Sequence, residues 1–354
     1  MAEAAEAARP TQGVKELLEN SNGQIHDQSL PDKYIKPEIA RVRCNTPLAG
    51  IPLIDFSQIH GQSRSKIIQD IANAAQEWGF FQVINHSVPL ALMDAMMSAG
   101  LEFFNLPLEE KMAYFSEDYK LKLRFCTSFV PSTEAHWDWH DNLTHYFPPY
   151  GDEHPWPKQP PSYEKAAREY FDEVLALGKT ISRALSQGLG LEPDFLIKAF
   201  REGMNSIRLN YYPPCPRPDL AVGMSPHSDF GGFTILMQDQ AGGLQVKRNG
   251  EWYSVKPVRG SFVVNISDQL QIFSNGKFQS AEHRVAVNSS SQRLSIATFF
   301  EPSEDVVVAP IPELLLRNSE PPRYKESLFG TYLGKQFSKY FDSKNTIQAL
   351  EINR

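Results

Sequence analysis

SPHSDFGGFTILMQDQ, residues 225–240, joins a His-x-Asp pair to a run of strand-forming residues. In extended backbone, residues two apart point to the same side. His227 and Asp229 therefore aim at one point while Ser228 turns away. The run FTILMQ behind them has the β-branched and large apolar residues of a buried strand. The same character extends outward, through SIRLNYY before the pair and GLQVKR, EWYSVKP, SFVVNIS, HRVAVN and RLSIATFF after it. RNGEW and SNGKF read as hairpin turns. Seven or more short strands so spaced predict a mainly β fold, a double-stranded β-helix or jelly-roll core, with helices from the N-terminal half as its buttress.

The first half supplies those helices. GIPLIDFSQ (50–58) reads as a buried strand. SKIIQDIANAAQEWG then places Ile67, Ile68, Ile71, Ala74, Ala75 and Trp78 on one helical face. FFQVINH (80–86) reads as a strand, and LALMDAMMSAGLEFFNLP (90–107) as a helix that Pro107 ends. From 112 to 160 no period survives. This aromatic- and proline-rich segment reads as irregular, and so many rings argue for function rather than disorder. A long helix follows, with Tyr170, Phe171, Val174, Leu177, Ile181, Ala184 and Leu185 at helical spacing. Near Val14–Leu18 a short helix is expected. We divide the chain into an N-terminal region (1–110), a substrate-lining segment with its supporting helix (111–200), a jelly-roll core (201–305) and a C-terminal helical lid (306–354).

Composition excludes several classes. With 35 basic and 42 acidic residues the net charge is -7, and no long basic run exists to meet nucleic acid or an anionic membrane. No window approaches the roughly 18 apolar residues of a membrane span. The first residues, MAEAAEAARPTQG, lack the apolar stretch of a secretory signal. Cys44, Cys126 and Cys215, odd in number and widely spaced, do not read as a disulfide framework and point to a reducing compartment. These features predict a soluble cytoplasmic protein; we expect it to be a monomer with a small molecule as its partner.

The chemistry needs a third ligand beside His227 and Asp229. His283, in SAEHRVAVN, lies in the strand-rich half, and jelly-roll topology brings distant strands together. Two imidazoles and one carboxylate on one face of an iron leave open positions for O2 and a second reactant, the facial triad of non-haem Fe(II) oxygenases. A His-x-Asp pair alone is equally consistent with a hydrogen-bonded turn. Arg293 and Ser295, again two apart in RLSIATFF, add weight. An arginine facing a barrel interior is costly unless it meets a carboxylate, and a guanidinium fork beside a hydroxyl suits the far end of a dicarboxylic co-substrate. A zinc hydrolase built on the same triad would leave Arg293 unexplained, and a catalytically silent binder would need neither device.

In its ordered motifs, from EWGFFQVINH through LNYYPPCPRPDL, HSDFGGFTILMQD and SAEHRV to QRLSIATFF, the chain resembles the plant 2-oxoglutarate- and Fe(II)-dependent dioxygenases, and most of all their phenylpropanoid- and flavonoid-oxidising branch. The resemblance implies His227, Asp229 and His283 as catalytic iron ligands. It implies Arg293 and Ser295, with Asn210 and Tyr212, as contacts of 2-oxoglutarate. It places Phe299 where a ring stacks on a planar substrate, and Phe125, Phe129, Trp139 and Tyr146 around the substrate mouth; Phe230, bulky at a position where members vary, is expected to narrow the site or stack against the substrate. The implied reaction hydroxylates or desaturates a planar aromatic metabolite with O2, as 2-oxoglutarate becomes succinate and CO2 and ascorbate keeps iron ferrous. Oxidation of a gibberellin-type hormone precursor is the alternative. Of the other histidines, His86 reads as structural, and His136, His140, His145 and His154 lack ligand spacing. Ser87 stands where the family reads glycine, which bears on a local turn.

Overall fold

The computed structural model describes residues 13–20, 30–42, 46–147, 155–201, 203, 205–338 and 344–352, so Cys44 and His154 lie outside the described residues. Its strands are β1 (Leu53–Asp55), β2 (Phe80–Ile84), β3 (Leu123–Thr127), β4 (Asp141–Phe147), β5 (Asn205–Tyr212), β6 (Met224–His227), β7 (Phe233–Gln238), β8 (Leu244–Arg248), β9 (Glu251–Ser254), β10 (Phe262–Ile266), β11 (His283–Val285), β12 (Arg293–Phe300), β13 (Val307–Val308) and β14 (Ser327–Leu328), the last two paired only with each other. Its helices are α1 (Val14–Asn20), α2 (Arg64–Glu77), α3 (Leu90–Phe104), α4 (Leu108–Met112), α5 (Tyr163–Gly188), α6 (Phe195–Phe200), α7 (Asp268–Phe273), α8 (Pro312–Asn318), α9 (Phe329–Ser338) and α10 (Asn345–Gln348). Among the described residues no helix is long and apolar enough to cross a membrane.

Two sheets make the jelly-roll. The larger runs β1-β2-β10-β7-β12-β5-β4-β3 and the smaller β6-β11-β8-β9. Helices α2, α3 and α5 cover the outer face of the larger sheet, each by the apolar stripe legible in its sequence. Ile67, Ile71, Ala74 and Ala75 are the buried face of α2, and Tyr170, Phe171, Val174, Leu177 and Ile181 that of α5. Ile68 and Trp78 are only partly buried. Two glycines let helices seat this closely. A methyl group on Gly100 of α3 would lie 2.8 Å from a Leu209 methyl carbon, and one on Gly178 of α5 would strike the Phe300 ring. β12 shows the division of faces. Leu294, Ile296 and Phe300 join the core under the helices, while Arg293, Ser295, Ala297 and Phe299 turn to a cavity between the sheets.

Two expectations fail. The segment expected to be irregular contains β3 and β4, paired in register with each other and with β5. Their period of two is masked because both faces are buried and both hold polar groups. Arg124 and Thr144 face the cavity, while Leu123, Phe125, Leu143 and Phe147 face the helices. SNGKF is no hairpin. Asn275 and Gly276 have positive φ, as expected of the dipeptide, but they end α7, with Gly276 N donating to Gln271 O. The same left-handed pair also serves a helix terminus. RNGEW is the predicted hairpin, with Asn249 and Gly250 at φ 52° and 84° between β8 and β9. In the turn after β2 the left-handed residue is Asn85, not Ser87, so serine there meets no backbone strain.

Candidate metal centre and active-site cavity

β6 ends at His227, and β11 begins at His283 directly across from it in the antiparallel register. Their ring centroids are 4.1 Å apart. Asp229 lies just past the strand, where its carbonyl accepts the Asp268 amide at the start of α7 and pins the turn. The ligand atoms of His227, Asp229 and His283 all lie within 4.8 Å of one another. Each histidine turns Nδ1 to its own backbone, His227 to Ser225 O at 2.9 Å and His283 to Ala281 O at 3.2 Å. That leaves the Nε2 atoms 3.7 and 3.6 Å from Asp229 Oδ1. The other carboxylate oxygen, Oδ2, accepts Thr234 Oγ1 at 2.5 Å and Asn265 Nδ2 at 2.7 Å.

The electrostatics suit a divalent cation. Burial, joined by the neighbouring His283 imidazole, pushes the His227 imidazole down to about 4 against the pull of Asp229, so it is neutral at physiological pH. Burial would raise the Asp229 carboxyl, but His283, His227, Thr234 and Asn265 together hold it below the usual carboxylate range. Neutral imidazoles and an ionised carboxylate are the protonation states a metal requires. The donor set, two nitrogens and one oxygen with outer partners fixing each ring and carboxylate, fits iron in the facial-triad manner.

Along the inner face of the larger sheet, Arg293 pairs with Tyr212 and Ser295 with Asn210 across β12 and β5. Arg293 is buried and donates to Ser295 Oγ at 2.8 Å and Gln238 Oε1 at 3.1 Å. Its guanidinium lies 5.0 Å from the Tyr212 ring centroid. No carboxylate meets it among the described residues. Asn210 Oδ1 and Arg293 Nε are buried without a hydrogen-bond partner. Four side chains singled out in the sequence thus converge beside the triad, in a setting that fits one more carboxylate.

The same cavity is lined by Phe129, Tyr146, Phe230 and Phe299. Phe299 pairs across strands with Thr234, the residue that holds Asp229. Phe125 and Trp139 do not reach the cavity. Phe125 shares the helix-facing side of β3 and packs on Phe103. Trp139 meets Tyr34 edge to face at 5.0 Å and donates its Nε1 to Pro213 O at 3.1 Å. Strand parity decides the first, since the cavity-facing neighbour of Phe125 is Arg124. His86 bonds Gly260 O through Nε2 and is structural. His145 is packed among Phe147, Trp156 and Tyr163, and His136 is exposed.

Sequence reasoning missed several lining residues, notably Arg124, Arg208, His140 and Phe337. Alternation about Asn210 and Tyr212 could have found Arg208. Nothing local marks Phe337, which α9 brings onto Phe129 with centroids 5.4 Å apart and edge-on to Phe230 at 5.6 Å. From the 306–354 segment, Phe337 lines the cavity.

Comparison with known proteins agrees with this geometry. Residues 204–302 match the family model of the 2OG-Fe(II) oxygenase superfamily, and residues 51–165 that of the non-haem dioxygenase in morphine synthesis N-terminal region. Feruloyl CoA ortho-hydroxylase 2 of Arabidopsis thaliana is 40% identical, over 96% of this chain and 93% of its own. Flavanone 3-dioxygenase 2 of Oryza sativa subsp. japonica is 37% identical, over 92% and 94%. The crystal structure of JOX2 in complex with 2OG, Fe and JA superposes with a TM-score of 0.85 at 36% identity, covering 98% of this chain and 99% of that one.

Proposed function

Because the chain belongs to the 2OG-Fe(II) oxygenase superfamily and is a dioxygenase acting on a small molecule with Fe(II), 2-oxoglutarate and O2, we propose that it hydroxylates or desaturates a planar aromatic metabolite of the phenylpropanoid or flavonoid kind. The observation behind this reading is the ring of aromatic walls, Phe129, Tyr146, Phe230, Phe299 and Phe337, around the triad. Aromatic faces stacked or set edge-on add roughly 0.5–1.5 kcal/mol per pair beyond simple burial. The names of the feruloyl-CoA and flavanone relatives point the same way.

In this reading His227, Asp229 and His283 hold the iron. Bound iron supplies the coupling of 2-oxoglutarate decarboxylation by O2 to oxidation of the substrate. Arg293 and Ser295 would hold the distal carboxylate of 2-oxoglutarate by a charge-assisted contact, with Asn210 and Tyr212 beside it. Phe299 sets the substrate ring next to the ligand-bearing strand end, since the reacting carbon must be positioned before it can react. Phe337 and Phe129 shut water out above it. Ascorbate serves as reductant, and the protein acts as a cytoplasmic monomer.

A second reading, oxidation of a hormone or hormone precursor such as a gibberellin-type terpenoid, draws on the likeness to JOX2 solved with JA. The deciding experiment incubates purified protein with Fe(II), 2-oxoglutarate and ascorbate against flavanones, hydroxycinnamoyl-CoA esters and gibberellin precursors. Products are read by mass spectrometry. A product 16 mass units heavier or 2 lighter, roughly stoichiometric with succinate, is expected from an aromatic candidate. Turnover confined to the terpenoids would overturn the first reading in favour of the second.

A further inference from the structure

Two buried arginines line the cavity, and among the described residues no acid meets them. Register puts both on one rung of the inner face, Arg124 of β3 opposite Thr144 of β4, and Thr144 opposite Arg208 of β5. Their backbones are thus two strand spacings apart, roughly 9–10 Å, and Thr144 between them also lines the cavity. Arg124 is 2% and Arg208 8% exposed. Nε and Nη1 of Arg124, and Nε and Nη2 of Arg208, are buried without a hydrogen-bond partner. Each guanidinium instead lies near an aromatic ring, Arg124 at 5.8 Å from the Phe337 centroid and Arg208 at 5.2 Å from that of Phe129.

Such an arrangement is costly for the protein alone. A buried guanidinium keeps its charge, and ring contacts replace only part of the lost hydration. Two interior lysines, by contrast, do meet acids. Lys36 meets Asp138 at 2.7 Å, and Lys111 meets Glu16. Burial, then the like charge of Arg124, lowers the Arg208 guanidinium to about 10, which leaves it cationic at neutral pH. Two unmatched cations side by side, their donors turned to a cavity flanked by rings, fit an anion arriving with a ligand.

Their place separates them from the 2-oxoglutarate contacts. Arg208 pairs with Ala297 of β12, one rung from Ser295 on one side and from Phe299 on the other. Thr234, which holds Asp229, stands on β7, beyond β12 from Arg208. A molecule reaching from the triad past Phe299 would bring its far end to the two arginines. We propose that Arg124 and Arg208 form a clamp for a carboxylate of the organic substrate, making that substrate an aromatic acid. This rests on the reading that the cavity takes a planar aromatic ring. A carboxylate is favoured over a phosphate ester because the site is enclosed by Phe129, Phe337 and Thr144, and a planar two-oxygen anion matches the guanidinium fork.

The test measures binding without turnover. Calorimetry on the Fe(II) protein under anaerobic conditions, saturated with 2-oxoglutarate so that the Arg293 site is filled, compares 4-hydroxycinnamate, its methyl ester, its CoA thioester and cyclohexylacetate. The free acid should bind about tenfold or more tightly than the ester. Arg124→Gln and Arg208→Gln should each bring the acid close to the ester, Arg208→Lys should retain part of the preference, and 2-oxoglutarate affinity should stay unchanged in all three. That unchanged affinity also certifies the fold. Equal binding of acid and ester, no saturable binding of either carboxylate, a preference for the thioester, or a loss confined to 2-oxoglutarate would each overturn the clamp. Arginine-dependent binding of cyclohexylacetate with none of the hydroxycinnamate would keep the clamp and overturn the planar-ring reading.

Discussion

Thr234 and Asp229 are joined side chain to side chain, Oγ1 donating to Oδ2 at 2.5 Å, and Asn265 reaches the same oxygen at 2.7 Å. One carboxylate oxygen is thereby committed to the protein, and the other, Oδ1, faces the two Nε2 atoms. The aspartate is oriented before any metal arrives. Loss of such outer partners typically weakens a metal site by about 10- to 100-fold. Thr234→Val keeps shape and removes the hydroxyl, so we expect Fe(II) affinity to fall by about tenfold or more with the fold intact. Metal titration alongside thermal melting checks this. Asp229→Ala should abolish both iron loading and succinate release, and near-normal activity in that variant would contradict the assignment.

Arg293 gives a second prediction. It is 3% exposed and donates to Ser295 and Gln238. Truncating one side of a buried charge pair costs roughly 2–5 kcal/mol. Arg293→Ala should therefore raise the KM for 2-oxoglutarate by tens-fold to thousands-fold, while Arg293→Lys recovers only part because an ammonium lacks the two-pronged geometry. Steady-state kinetics with 2-oxoglutarate as the varied component decide it. Unchanged saturation in the alanine variant would place the anchor elsewhere.

His140 predicts a pH dependence of stability. Burial pushes its imidazole down to about 3, against the pull of Asp138. An unfolded histidine titrates near 6.5. The unfolded chain thus binds a proton that the folded chain refuses, and the stability contribution, intact above about 6.5, is lost as pH falls toward 3. Removing this group should flatten the curve by roughly 1 kcal/mol per pH unit below 6.5. Denaturant melts of the parent and His140→Gln between pH 7 and pH 5 measure it. Parallel curves would show that His140 is not the residue responsible.

Phe299 tests the substrate reading. It lines the cavity on the rung of Thr234. Phe299→Leu keeps most apolar volume and removes the ring face, so substrate affinity should drop roughly 2- to 10-fold with 2-oxoglutarate saturation unaltered. Phe299→Ala should lose more and scatter the position of oxidation, as positioning fails. Kinetics and product regiochemistry on the best substrate read both effects. A leucine variant matching the parent in KM, kcat and product pattern would return Phe299 to simple packing.

Features written locally could be read from the residues alone. Residues two apart on a strand share a face, so His227 with Asp229 and Arg293 with Ser295 were legible as functional pairs, and apolar periodicity marked α2, α3 and α5. Tertiary structure decided what depends on pairing between distant segments. Register across β3, β4 and β5 turned Arg124 into the cavity and Phe125 into the core, and it set Arg208 level with Arg124. The crossing of β7 beside β10 brought Thr234 and Asn265 to one oxygen of Asp229. The docking of α9 supplied Phe337. These strand pairings and the helix docking join segments set apart in the chain, and a buried face that must hold charge for a ligand does not show the apolar alternation by which a strand is read.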